Sequence, residues 1–319
     1  MNHLLSNMDY DWIKNQATLS DNSTTITFND EFNEIIKPNS LPNNLLSLTF
    51  GHMFNQKIEP NTLPLNLKYL TFGNIFVKKI EPNSLPENLK SLTFGYWFNQ
   101  IIEPKSLPKN LSILIFTGSF NQKIRPNSLP KNLSSLTFAY WFRQKIKPNS
   151  LPKNLLELTF GFHFDQKIEP NSLPNKISTL TFGRKFNQKI DVYNLPTNLN
   201  SITFGCEFNQ LLDVYDLPDN LIYLVFNWRE LHQDIIVNNL VDMVNNIHTK
   251  YDVKLLVDKN IFDNKWPKWK IYVIDYDKSE WPSDMYEVID QEQLFNEKIT
   301  ILINNNSYQP YSYAKSARY

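Results

Sequence analysis

LPKNLLELTFGFHFDQKIEPNS, from Leu151 to Ser172, returns along the chain at steps of 22 residues without slippage. Leu-Pro recurs at Leu41, Leu63, Leu85, Leu107, Leu129, Leu151, Leu173, Leu195 and Leu217. A degenerate copy starts at Leu19, where Ser20 replaces proline but Ile26, Phe28, Phe32, Ile36 and Pro38 keep the frame. A fixed period in the range of 20–50 residues is the mark of a solenoid. Counting from the Leu-Pro leucine, the apolar places are 1, 5, 8, 10, 14 and 18; here these are Leu151, Leu155, Leu158, Phe160, Phe164 and Ile168. Positions 8 and 10 flank a threonine, the alternation of a short strand with one face inward. Proline at 2 and 20, asparagine at 4 and 21 and glycine at 11 leave only turns between strands. One such unit cannot offset the entropy of ordering its own backbone. It must stack on its neighbours, giving a parallel sheet with strands about 4.8 Å apart. Threonines at 9 and asparagines at 4 and 15 are then expected to form ladders between coils.

The run Leu89-Lys-Ser-Leu-Thr-Phe94 resembles the core of a leucine-rich repeat, and Phe98-Asn99-Gln-Ile-Ile102-Glu-Pro104 is closer still to the FNIP repeat. That repeat is a leucine-rich-repeat relative abundant in social amoebae and giant viruses of amoebae. The resemblance spans Leu19 to about Phe226. It implies a leucine-rich-repeat-like solenoid that displays side chains to a protein partner. Some members of the family carry an N-terminal F-box; the 18 residues before the first unit are too few for one. A ubiquitin-ligase role would therefore need an F-box partner in trans.

The expected organisation is an N-terminal cap over 1–18, the solenoid over 19–226 and a small α/β capping unit over 227–319. In the first segment Leu4, Leu5, Met8 and Trp12 suit one face of a short helix. In the last, Asn238 to Tyr251 and Gln291 to Glu297 suit helices, and Val253–Val257, Ile271–Ile274 and Ile299–Ile303 suit strands. The tail from Tyr308 to Tyr319 has no periodicity. Six of the seven glycines stand at position 11 (Gly51, Gly73, Gly95, Gly161, Gly183, Gly205), which suggests a left-handed backbone there. Thr117 and Ala139 at the same place argue against it.

Thirty-two basic and 32 acidic residues balance, so overall charge selects no partner. One cysteine, Cys206, excludes an internal disulfide framework and suits a reducing compartment. With no signal-like start and no long apolar run, a cytoplasmic, non-secreted monomer is expected, in the host cytoplasm if the protein is viral. The histidines lack partners at metal-ligand spacing, and no nucleophile elbow, P-loop or dinucleotide fingerprint occurs. Asp213, Asp216 and Asp219 fall on inter-strand turns, where aspartate serves the backbone. No catalytic residue, cofactor or metal is expected, the rival being an enzyme hidden in 227–319.

Two features remain as candidate binding sites. Positions 12 and 13 vary amid fixed copies: Tyr96-Trp97, Tyr140-Trp141, Phe162-His163 and Arg184-Lys185. Aromatic rings beside arginine are what protein-binding hot spots use, although such rings could equally pack on one another. From Lys105 to Lys153 there are nine basic residues and no acidic one: Lys105, Lys109, Lys123, Arg125, Lys131, Arg143, Lys145, Lys147 and Lys153. Stacking places many of these side by side, as a solvated edge or as a patch for an acidic protein, an anion or a nucleic acid.

Overall fold

The computed structural model describes residues 16–19, 24–205, 207–210, 217–221, 223–227, 253–257, 271–272 and 299–304. The chain makes a short strand β1 (Ala17–Leu19) and then one strand per repeat: β2 (Thr25–Phe28), β3 (Ser47–Thr49), β4 (Tyr69–Thr71), β5 (Ser91–Phe94), β6 (Ile113–Phe116), β7 (Ser135–Thr137), β8 (Glu157–Thr159), β9 (Thr179–Thr181), β10 (Ser201–Phe204) and β11 (Tyr223–Asn227). From β2 to β11 each strand pairs in parallel with the next, in a register that sets every residue beside its counterpart 22 later, as Leu158 beside Leu180. The result is a parallel-strand β-solenoid of leucine-rich-repeat type. Between residues 24 and 205 its only helical element is a 3-10 turn over Val192–Asn194.

The predicted apolar places form one continuous core, with Leu155, Leu158, Phe160, Phe164 and Ile168 all at or below 4% exposure. Phe160 and Phe164 of one coil stack with centroids 3.8 Å apart, and each lies parallel to its counterpart in the next coil, at 5.6 and 6.1 Å. Two phenylalanine columns thus run the length of the solenoid. Within each coil the repeat holds the pair nearly face to face, although isolated rings prefer offset or edge contacts.

Polar ladders secure the turns. Asn33 Oδ1 accepts from the Asn55 amide at 2.9 Å, Asn55 Oδ1 from Val77, and Asn121 Oδ1 from Arg143, so position 15 caps the following coil. At position 4, Asn154 Nδ2 donates to the Lys131 carbonyl at 3.1 Å. Both asparagine ladders expected from the sequence are present. A third device was not anticipated: from Ser40 to Ser172 position 22 is a buried hydroxyl, and Ser128 and Ser150 donate to the position-19 carbonyls of Arg125 and Lys147 at 2.8 and 2.7 Å.

The reading of the position-11 glycines as left-handed is corrected: no glycine among the described residues has a positive φ. Their reason is contact. A Cβ on Gly73 would lie 1.8 Å from the Gly51 carbonyl oxygen, and one on Gly161 would lie 1.7 Å from that of Ala139. The left-handed residues are instead at position 21: Asn39, Asn61, Asn83, Lys105, Asn127, Asn149 and Asn171, with φ between 60° and 69°. Asparagine tolerates that region better than other L-residues.

At the N-terminal edge β1 pairs antiparallel with β2. The helix expected over Leu4 to Trp12 lies outside the described residues. At the other edge β14 (Ile299–Asn304) pairs in parallel with β11 and with β12 (Val253–Val257), which pairs with β13 (Ile271–Tyr272). The three expected C-terminal strands therefore extend the solenoid sheet, in the order β11-β14-β12-β13. The two expected helices, the tail from 308, Cys206, Asp213 and Asp216 lie outside the described residues.

Candidate functional site

The backbone ladder does not stop with the strands. At position 13 the amide donates to the position-12 carbonyl of the preceding coil: Trp97 to Asn74, Ser119 to Tyr96, Trp141 to Gly118, His163 to Tyr140 and Lys185 to Phe162. Positions 12 and 13 are thus held in rows, one residue per coil, immediately beyond the sheet.

Those rows place the aromatic residues against one another and leave much of them exposed. Tyr140 stacks on Phe162 at 4.5 Å, Trp141 stacks on His163 at 4.2 Å, and each tyrosine–tryptophan neighbour pair meets edge to face. Trp97 keeps 56% of its surface exposed and Trp141 38%. The rings pack on one another, as one reading of the sequence expected, while Trp97 and Trp141 stay exposed. In the coil between them position 12 is Gly118, and the Tyr96 ring lies so close over it that a Cβ would come within 2.4 Å of Tyr96 Cδ2. Trp141 Nε1 reaches across this coil to donate to Tyr96 Oη at 3.2 Å.

Arg143 stands at position 15, in the asparagine row, and its guanidinium lies 5.3 Å from the Trp141 ring centre. Its Nη2 is 3.2 Å from His163 Nδ1. Since arginine only donates, Nδ1 accepts and the neutral imidazole carries its proton on Nε2. Burial, then the charges of Arg143 and Lys185, push the His163 pKa below its ordinary value. Arg184 lies over Phe162, and both Arg184 and Lys185 are bound by Glu207 at 3.0 and 2.8 Å. The sequence reading did not single out Glu207; it stands at position 13 of the next coil, so a step of 22 from Lys185 finds it.

The basic run is less uniform in space than in sequence. Stacking brings acids from outside it beside three of its members: Glu87 beside Lys109 at 3.9 Å, Glu103 beside Arg125 at 3.5 Å, and Glu169 in close contact with Lys145. Lys123, Lys131, Arg143, Lys147 and Lys153 have no carboxylate partner among the described residues. Lys105 takes the left-handed corner at position 21. Among the described residues no cluster of three or more histidine, cysteine or acidic side chains could hold a metal, and no helix is long and apolar enough to cross a membrane.

A one-strand-per-coil solenoid with such rows defines a repeat protein of leucine-rich-repeat type, a class typical of protein-interaction scaffolds. A profile described as FNIP Repeat matches residues 15–52, 54–97, 98–141, 120–163, 142–185, 164–207 and 186–227, and the chain belongs to the FNIP repeat family. Among solved structures it is similar to CroV588, a giant-virus protein titled a novel circular LRR protein structure, with 42% sequence identity and a TM-score of 0.61. The match covers 67% of this chain and 32% of that one, so the chain spans about a third of CroV588. A comparison with curated proteins returned no significant match.

Proposed function

We propose that this protein is a non-enzymatic scaffold that binds a protein partner through the aromatic rim of Tyr96, Trp97, Tyr140 and Trp141, with Phe162, His163, Arg184 and Lys185 continuing it. The observation that carries the reading is the exposure of two tryptophans on a rigid backbone ladder. Large rings that are already ordered lose little entropy on binding, which makes them effective anchors. The apolar places 1, 5, 8, 10, 14 and 18 are constrained by packing and cannot distinguish one such solenoid from another. A monomer in a reducing cytoplasm fits the single cysteine.

Affinity capture from the native cell, with the wild type and with the double variant Trp97→Ala, Trp141→Ala as baits, tests the proposal. Loss of the same captured proteins by a bait that melts within a few degrees of the wild type supports it. Unchanged capture overturns it. The second reading, nucleic-acid binding, is favoured by the uncompensated Lys123 and Lys147 and predicts affinity that falls steeply with salt.

A further inference from the structure

We infer that the partner presents an acidic, aromatic-bearing segment, and that Arg143 is the residue that receives its carboxylate. The inference rests on the rim being a protein-binding surface and names the chemistry that surface would select. It comes from a juxtaposition absent from the linear reading: the aromatic rows and the basic run are one surface, joined at Arg143.

Beside Trp141 lies a cleft of about 510 Å³ bounded by Arg143, His163, Asp165, Lys185 and Glu207. Its charges are unequally engaged. Glu207 is occupied by Arg184 and Lys185. Asp165 Oδ1 already accepts from the Asn187 amide at 3.0 Å and from Gln188 Nε2 at 2.8 Å. Arg143 is the cation of the cleft without a carboxylate partner among the described residues. It is nonetheless held in place, by the Trp141 ring and by His163 Nδ1, and its own amide is fixed by Asn121. An arginine has five N–H donors in a planar fork, and one bond to imidazole leaves most of them unused. The same histidine bond leaves a second donor, Nε2–H, in the cleft.

An ordered guanidinium beside an aromatic shelf favours a planar carboxylate, which can take two parallel N–H bonds. Positive charge is also carried by Lys123 at position 17 of the preceding coil and Lys147 at position 19 of the same coil, both exposed and without a carboxylate partner among the described residues. A segment with several acids would therefore track these residues while its aromatic side chain covers Trp97 and Trp141. A polyphosphate chain would meet the same charges but would not need the planar pairing at Arg143.

The experiment is fluorescence anisotropy with the full chain and a labelled Glu-Glu-Phe-Glu-Glu peptide, against its glutamine counterpart and a short oligothymidylate. Wild-type protein is expected to bind the acidic peptide at least tenfold more tightly than the glutamine one. Arg143→Gln, which keeps the Asn121 backbone bond, should weaken it about tenfold, whereas Lys90→Gln, exposed just before β5, should not. No binding of the acidic peptide, or equal binding by Arg143→Gln, overturns the inference. So does tighter binding of oligothymidylate with the same dependence on Arg143. If the tryptophan double variant loses its captured partners but the peptide does not bind, the scaffold reading stands and only the acidic partner falls.

Discussion

Trp141 donates its indole hydrogen to the Tyr96 hydroxyl at 3.2 Å, although 45 residues and a whole intervening coil separate them. The bond is possible because position 12 of that coil is Gly118, over which the Tyr96 ring lies. The rim is thus a cross-braced unit rather than a set of independent rings. In a double-mutant cycle, Tyr96→Phe and Trp141→Phe should show a coupling of about 0.5–1.5 kcal/mol in urea denaturation. Strict additivity would mean the bond contributes nothing.

Phe160 and Phe164 stack within one coil and against both neighbouring coils. Phe160→Ala opens a cavity in the middle of a column and should cost about 3–5 kcal/mol. Thr159→Ser, on the outward side of the same strand, should change stability by less than about 0.5 kcal/mol. The opposite ranking would mean that strand β8 faces the other way.

Two backbone positions separate contact from conformation. Gly73→Ala should destabilise by about 1–3 kcal/mol although its φ is ordinary, because the added methyl would meet the Gly51 carbonyl. Lys105, at φ 69° where the other copies carry asparagine, should gain up to about 1 kcal/mol on change to asparagine. Thermal melts of the two single variants moving in the same direction would contradict this assignment.

His163 gives a pH dependence of definite sign. Its folded pKa is depressed by burial and by Arg143 and Lys185. As pH falls below the ordinary histidine value of about 6.5 the unfolded chain takes up the proton first, so the native state loses stability. The loss continues until pH passes below the folded pKa, and above about pH 7 the group contributes nothing. His163→Gln should therefore lose less melting temperature than the wild type between pH 7 and pH 5. An equal or greater loss in the variant would remove the assignment.

What the sequence by itself determined here is everything that the period carries. Leu158, Phe160, Phe164 and Ile168 were assignable to the core because the same places are apolar in copy after copy. The parallel register followed because units of one length can stack only in phase. The asparagine ladders followed from the same argument. The period could not reveal what depends on distances between neighbouring coils. The position-11 glycines were legible as a requirement but not as its cause, since close backbone approach and a positive φ select the same residue. The positive φ lies with Asn149 and its counterparts instead. Likewise Lys105 to Lys153 is uniformly basic along the chain, yet Glu87, Glu103 and Glu169 enter its surroundings because stacking brings residues about 22 apart side by side. Arg143 is the clearest case. In sequence it is one more cation two places after a tryptophan. Only the folded chain sets it beside the Trp141 ring and onto a histidine of the following coil, because stacking brings position 15 of one coil within reach of position 13 of the next.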